Sequence, residues 1–140
     1  MDEKEKATKI VNLMFNNDPF SKWLGIERLE DAPGKSKLRM TIRSEMLNGF
    51  DIAHGGISYS LADSALAFAS NAHGRKCVSV ETSISHVQQV RVNDVLTTFV
   101  EELSLTNKIA LYQISVRNQF DVDVAIFKGS VYRTDKEWEI

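Results

Sequence analysis

The 140-residue chain carries 17 Lys and Arg against 19 Asp and Glu, for a net charge of −2, with 43% hydrophobic and 26% charged residues. This composition suits one soluble globular domain with enough apolar material for a core, and it offers no basic stripe for nucleic acid. Cys77 is the single cysteine, which excludes an internal disulfide and a structural thiolate cluster and fits a reducing, cytoplasmic setting.

The opening residues, MDEKEKATKI, mix acids with lysines and lead into no apolar run, unlike a secretory signal. Residues 3–15 place Ala7, Ile10, Val11 and Met14 on one stripe and predict an amphipathic helix. Asn17-Asp18-Pro19 breaks it, and a short helical turn over Phe20–Leu24 ends at Gly25, a residue suited to a left-handed cap. Ile26–Glu30 is then a strand. After the turn at Ala32-Pro33-Gly34, Ser36–Ile42 alternates Leu38, Met40 and Ile42 with Lys37, Arg39 and Thr41, a strand with one wet face. Residues 43–54 form a loop long enough to suggest function.

The next segment is the unusual one. From Ile52 to Gly74 the only residue charged at neutral pH is Asp63, taking His54 and His73 as neutral. The stretch is long enough to span a bilayer but is rich in Ser, Gly, Asn and His, so it reads instead as a helix over about 56–73. Nine of the sixteen residues from Ile57 to Ala72 are Ala or Ser. So many small side chains let a sheet approach closely, which predicts a sheet curled around a central helix.

Four strands follow. Cys77–Val87 alternates Val78, Val80, Thr82 and Ile84 against Ser79, Glu81 and Ser83. Val95–Leu105 comes after an Asn93-Asp94 turn, and Ile109–Asn118 puts Ala110, Tyr112, Ile114 and Val116 on one face. Val124–Arg133 is last, and Thr134–Ile140 reads as a loose tail. Consecutive strands without intervening helices imply a mainly antiparallel sheet with its helix on one face, an α+β layout. No linker or repeat divides residues 1–140, so one domain is expected, with residues 1–23 as its N-terminal helical segment and 134–140 as a tail.

Three features of the central segment bear on chemistry. Gly55 and Gly56 allow close approach to the backbone, and a helix starting there presents unpaired N–H groups at the positive end of its dipole. Such an end can stabilise an oxyanion, although two glycines can equally just turn a loop into a helix. His54 beside them can cap the loop. Asp63 in an apolar helix would have its pKa raised by desolvation, as suits a general base or a carboxylate nucleophile. Its structural alternative is a hydrogen bond to a backbone amide or to Ser60 or Ser64. Asp63 lies eight residues beyond Gly55, about 12 Å along a helix. One centre using both groups must therefore combine two chains, each contributing one of them.

Asn48, His54-Gly55-Gly56, Leu61-Ala62-Asp63 and the strand Val80-Glu81-Thr82-Ser83-Ile84 together resemble the hotdog-fold acyl-CoA thioesterases, most closely the phenylacetate-degradation (PaaI-type) branch. The resemblance runs from Leu24-Gly25-Ile26 to Phe127-Lys128-Gly129-Ser130-Val131-Tyr132-Arg133. It implies a curved antiparallel sheet wrapped around a long central helix, in homodimers that often pair into tetramers. It further implies that Asp63 is general base or nucleophile and that the Gly55 amide polarises the thioester carbonyl across the interface. Asn48 would place the water or orient the thioester, His54 would support the loop and contact substrate, and Ser79 would position water. Gly56 and Tyr59 are candidates for substrate contact, Tyr59 together with Leu66 and Phe68 for the acyl pocket. The expected partners are an acyl-CoA and a second copy of the chain, with no membrane, no metal and no cofactor beyond the coenzyme A of the substrate. Arg75, Lys76, Arg91, Lys108 and Lys128 are available to its phosphates. The alternatives are a non-catalytic acyl-CoA-binding homodimer and a hotdog-fold hydratase or dehydratase.

Overall fold

The computed structural model describes every residue from Met1 to Ile140. Helix α1, Glu3–Asn16, starts where the Asp2 carboxylate accepts the Glu5 N–H at 2.8 Å. Helix α2, Pro19–Leu24, is capped by Asp18, which accepts both the Ser21 amide and the Ser21 hydroxyl. Gly25 ends it at φ 76°, as expected of a left-handed cap.

Strands β1 (Glu27–Ala32) and β2 (Lys35–Thr41) form a hairpin, and a 3-10 turn at Ser44–Met46 leads to the long helix α3, Gly55–Asn71. Then come β3 (Arg75–His86), β4 (Val95–Leu105), β5 (Ile109–Arg117) and β6 (Asp123–Glu137). The six strands make one antiparallel sheet in the order β1-β2-β4-β5-β6-β3. It curves around α3, which packs against every strand. This is the sheet-around-helix arrangement expected above.

The core fills the concave side. Leu61, Ala62, Ala65, Leu66, Phe68 and Ala69 of α3 meet Leu38, Met40, Leu96, Ala110, Ile114, Val116 and Phe127 from the sheet, all buried. Gly129 on β6 shows how close the layers come. A Cβ there would lie 2.7 Å from a Leu66 methyl and 3.1 Å from the Phe127 ring, so any larger residue would have to push the Leu66 side chain aside. Each large side chain so buried stabilises the fold by about 1.5–3 kcal/mol.

Two expectations fail. The first is the face of β3. Ser79 pairs with Val131 but Glu81 already pairs with Ser130, so a β-bulge inserts one residue and reverses the alternation. Cys77 and Ser79 face α3 before the bulge and Thr82 after it, while Val78 and Val80 point outward at 57% and 64% exposure. The second is the tail. β6 continues to Glu137, which pairs with Arg75, and the Trp138 amide donates to the Gly74 carbonyl at 2.8 Å. The Trp138 indole N–H donates to Asn71 Oδ1 at 2.9 Å. Backbone pairing holds this end, not apolar burial, so no hydrophobic pattern announces it.

Candidate active site

The site is built at the N-terminus of α3. The preceding loop is pinned rather than free: the Ala53 amide donates to the Val90 carbonyl at 2.7 Å and the His54 amide to Met46 O at 2.8 Å. Its base is held by Arg43, which donates to the Leu24 and Trp23 carbonyls and stacks over the Trp23 ring. Asn48 turns the loop tip. Its Oδ1 accepts the Phe50 amide at 2.8 Å and its own amide donates to Ile52 O, which leaves the side-chain NH2 for other partners.

His54 is the N-cap. Its Nδ1 accepts the Gly56 N–H at 3.0 Å, so the capping reading of His54 is correct and the Gly56 amide is occupied. The Gly55 N–H makes no hydrogen bond within the chain. It opens into a cleft of about 390 Å³ lined also by Asn48, Ile52, Ala53, Ser58, His86, Val87, Gln88, Gln89 and Val90. The lining carries no carboxylate and no Lys or Arg, so the helix dipole acts there without a competing fixed charge. Arg91 stands just behind it, donating to Gln89 Oε1 at 3.2 Å.

Asp63 lies elsewhere. With Ser79 it lines a pocket of about 70 Å³ bounded by Leu66, Ala67, Ser70, Cys77 and Val131, which shares no residue with the Gly55 cleft. Asp63 is half-buried, burial pushes its carboxyl above the usual range, and no hydrogen bond within the chain reaches it. The two serines that could have held it are engaged otherwise. Ser60 donates to Gly56 O at 2.7 Å and Ser64 pairs with Ser21 at 2.8 Å. An unpaired, partly desolvated carboxylate is costly to keep, and a pKa raised by burial makes it a stronger proton acceptor than an exposed carboxylate.

The structure therefore brings Asn48 and Gly55 together, and Asp63 and Ser79 together, but not the two pairs. Tyr59 lines neither pocket: its hydroxyl bonds Thr82 Oγ1 at 2.5 Å and its ring packs edge-on against Phe127. Phe68 is a core residue set against Phe15, and Leu66 borders the Asp63 pocket. Of the basic residues, Lys76 sits over Trp138, Arg75 bonds Asn107, and Lys128 borders a hollow that Gly129 also lines. Sequence reasoning missed His86, Ser58 and the Gln88-Gln89 pair. A histidine closing a strand and followed by two uncharged amides was the available signal, but its nearness to Gly55 depends on how β3 docks beside α3.

Comparison with known proteins decides the class. The model of the thioesterase superfamily matches residues 50–125. The chain belongs to that superfamily. It is 33% identical to the acyl-coenzyme A thioesterase PaaI of Escherichia coli over 91% of each chain. The structure of the Escherichia coli PaaI protein from the phenylacetic acid degradation operon superposes with a TM-score of 0.94 at 31% identity, covering 97% of this chain and 99% of that one. A variant of the phenylacetic acid degradation protein PaaI from Thermus thermophilus gives 0.80 at 32% identity over 84% of this chain and all of the other. This thioesterase is accordingly a hotdog-fold enzyme of the PaaI-type branch, a thioester hydrolase. No helix is long and apolar enough to cross a membrane.

Proposed function

We propose that the enzyme hydrolyses acyl-CoA thioesters at sites shared between two copies of the chain. The observation that carries this reading is the separation of two incomplete half-sites. A Gly55 amide without an acceptor and an Asp63 carboxylate without a donor lie in different pockets, about 12 Å apart along one helix. Each half-site has what the other lacks. β3 supports the same reading, because its outer edge has no strand neighbour and exposes Val78 and Val80. An edge of this kind is a template for pairing with a second chain. Pairing of such dimers into tetramers would bury further exposed sheet surface.

In the mechanism, the thioester oxygen accepts the Gly55 N–H, and the Asn48 amide orients the thioester or the water. Asp63 of the other copy takes a proton from water held by Ser79 while the water oxygen bonds to the carbonyl carbon. The tetrahedral anion is stabilised at Gly55 by the amide and the helix dipole. Its collapse reforms the carbonyl and breaks the C–S bond, and the departing thiolate takes up the proton to leave as CoA. The alternative route has Asp63 attack directly, forming a mixed anhydride that water then opens. Neither route needs a cofactor beyond the coenzyme A of the substrate, and the lone Cys77 suits a cytoplasmic enzyme.

Mixed dimers test the reading. Gly55→Pro removes the amide at the first helical position, where the helix backbone accepts proline and the His86 ring need yield only a few tenths of an ångström to the new Cβ, and Asp63→Asn removes the base. Each homodimer should be inactive, and a co-expressed mixture should regain activity, because one site per heterodimer keeps both native groups. Dead mixtures would place both groups in a single-chain site and overturn the reading. Incorporation of labelled water oxygen into the Asp63 carboxylate in single turnover distinguishes the nucleophilic route, and release of free thiol rather than double-bond hydration separates thioesterase from hydratase.

A further inference from the structure

One titratable side chain lines the Gly55 cleft, and the mechanism above does not use it. His86 closes β3, and its Nε2 lies 3.1 Å from the point where a Cβ on Gly55 would stand. The imidazole edge is therefore packed against the backbone whose amide faces the cleft. Its other nitrogen, Nδ1, is 3.4 Å from the Ser58 hydroxyl, which is itself buried. The ring stands on a fixed support. His86 pairs with Ala125 of β6, and the amides of Val87 and Gln88 both donate to the Val124 carbonyl.

We propose that His86 is a second hydrogen-bond donor to the thioester oxygen, beside the Gly55 amide, and hence a further catalytic residue. The assignment rests on the thioesterase reading above. The tautomer it requires has a local source. Ser58 Oγ lies 3.4 Å from both His86 Nδ1 and the Gly55 carbonyl, and that carbonyl belongs to the first helical turn, where the amide four residues on serves it. The Ser58 hydroxyl donates either to the Gly55 carbonyl or, at the same distance, to Nδ1, and the second arrangement keeps the ring proton on Nε2 at the side facing Gly55. Anionic oxygen held at the Gly55 amide favours the same tautomer. The groups sharing the cleft with the ring, Asn48, Ser58, Gln88 and Gln89, carry no charge, and the role assigned to His86 is to give a hydrogen bond from Nε2 without transferring the proton. Donors held in place before charge develops bind the charged transition-state oxygen more strongly than the carbonyl of the bound substrate.

The test is steady-state thiol release from an acyl-CoA that the full-length wild-type chain turns over. His86→Leu should lower kcat about 10- to 100-fold, below the usual loss for an oxyanion donor because the cleft is open to water, with KM within about three-fold. His86→Gln, whose amide can donate from a similar reach, should recover most of that loss. His86→Glu, equal in size but with no proton to give when ionised, should not. Ser58→Ala, which frees the tautomer, should cost a few-fold in kcat alone. A His86→Leu variant with kcat within about two-fold of wild type, or with KM raised and kcat intact, would overturn the assignment. So would equal rates for the Gln and Glu variants, a comparison that holds even if the Leu variant does not fold. A wild-type chain that releases no thiol from any acyl-CoA overturns the thioesterase reading and this assignment together, whereas failure confined to the His86 variants touches this one alone.

Discussion

The two ends of α3 treat their polar groups in opposite ways. At the N-terminal end and along the face that carries Asp63, groups that could bond are left without partners: the Gly55 amide, the Asn48 side-chain NH2 and the Asp63 carboxylate. At the C-terminal end, partners are shared. Asn71 donates to Ala67 O and accepts from both the Cys77 amide and the Trp138 indole. His73 and the Tyr112 hydroxyl converge on one oxygen of Glu102, at 2.6 and 2.7 Å. Burial together with the neighbouring Glu102 carboxylate raises the Tyr112 pKa far above its usual value, so its hydroxyl stays a donor. One end stores unmet bonding capacity and the other uses nearly all of it. Substitutions at the first end should therefore change rate more than stability, and at the second stability more than rate.

The largest expected effect falls on Asp63. Asp63→Asn should reduce kcat about 1,000-fold, in the range for loss of a general base, and the fold should be retained. Its effect on stability has the opposite sign. Below about pH 4, the ordinary carboxylate pKa, both folded and unfolded chains carry the protonated acid and the residue costs nothing. As pH rises, the unfolded chain ionises first, because burial raises the folded-state pKa. Stability therefore falls until the pH passes the folded value and stays reduced above it. The Asn variant should be the more stable protein at neutral pH and equal to wild type in acid. Chemical denaturation at both pH values measures this. A variant less stable at neutral pH would mean that Asp63 is a structural residue, and the contrast between the two ends would be lost.

Glu102 should give the next largest effect, in the other direction. Glu102→Ala leaves His73 and Tyr112 without their common acceptor, and that should cost about 2–3 kcal/mol with kcat within two-fold of wild type. Tyr112→Phe removes one donor and leaves the His73 contact, so it should cost about 1–2 kcal/mol. Urea midpoints with parallel kinetics check both. A fall in kcat larger than the fall in folded fraction would show that this cluster is coupled to the chemistry.

What was legible in the sequence follows from the range of each interaction. The stripe of Ala7, Ile10 and Val11 and the alternations Leu38-Met40-Ile42 and Ala110-Tyr112-Ile114-Val116 are local repeats, and all these residues are buried. Asp63 stood out because a single charge in an apolar helix has few structural excuses, and helical rise alone placed it far from Gly55. The bulge between Ser79 and Glu81 left no such mark, because β3 is polar at odd positions on both sides of it. His86 was invisible for a different reason: its place beside Gly55 is set by the crossover that brings β3 to the sheet edge beyond β6. His54 was legible in kind but not in role, since capping and substrate contact ask for the same residue.

The smallest effect, at Trp138, probes how cleanly the two ends are separated. Trp138→Phe keeps an aromatic ring beneath Lys76, which lies 5.0 Å from its centre, and deletes only the indole N–H given to Asn71. Asn71 Oδ1 still accepts the Cys77 amide at 2.9 Å, so the loss should be about 1 kcal/mol, or a fall in Tm of about 3 °C. Yet Asn71 is also the link between the ends. It bonds the backbone of Ala67 and of Cys77, and both residues line the Asp63 pocket. If Asn71 holds that pocket in shape without help from Trp138, kcat is unchanged while Tm falls. A drop in kcat at a temperature where the variant is fully folded would mean that the last turn of α3 and the C-terminal strand set the geometry around Asp63. The satisfied end of the helix would then be the support on which the unsatisfied end depends.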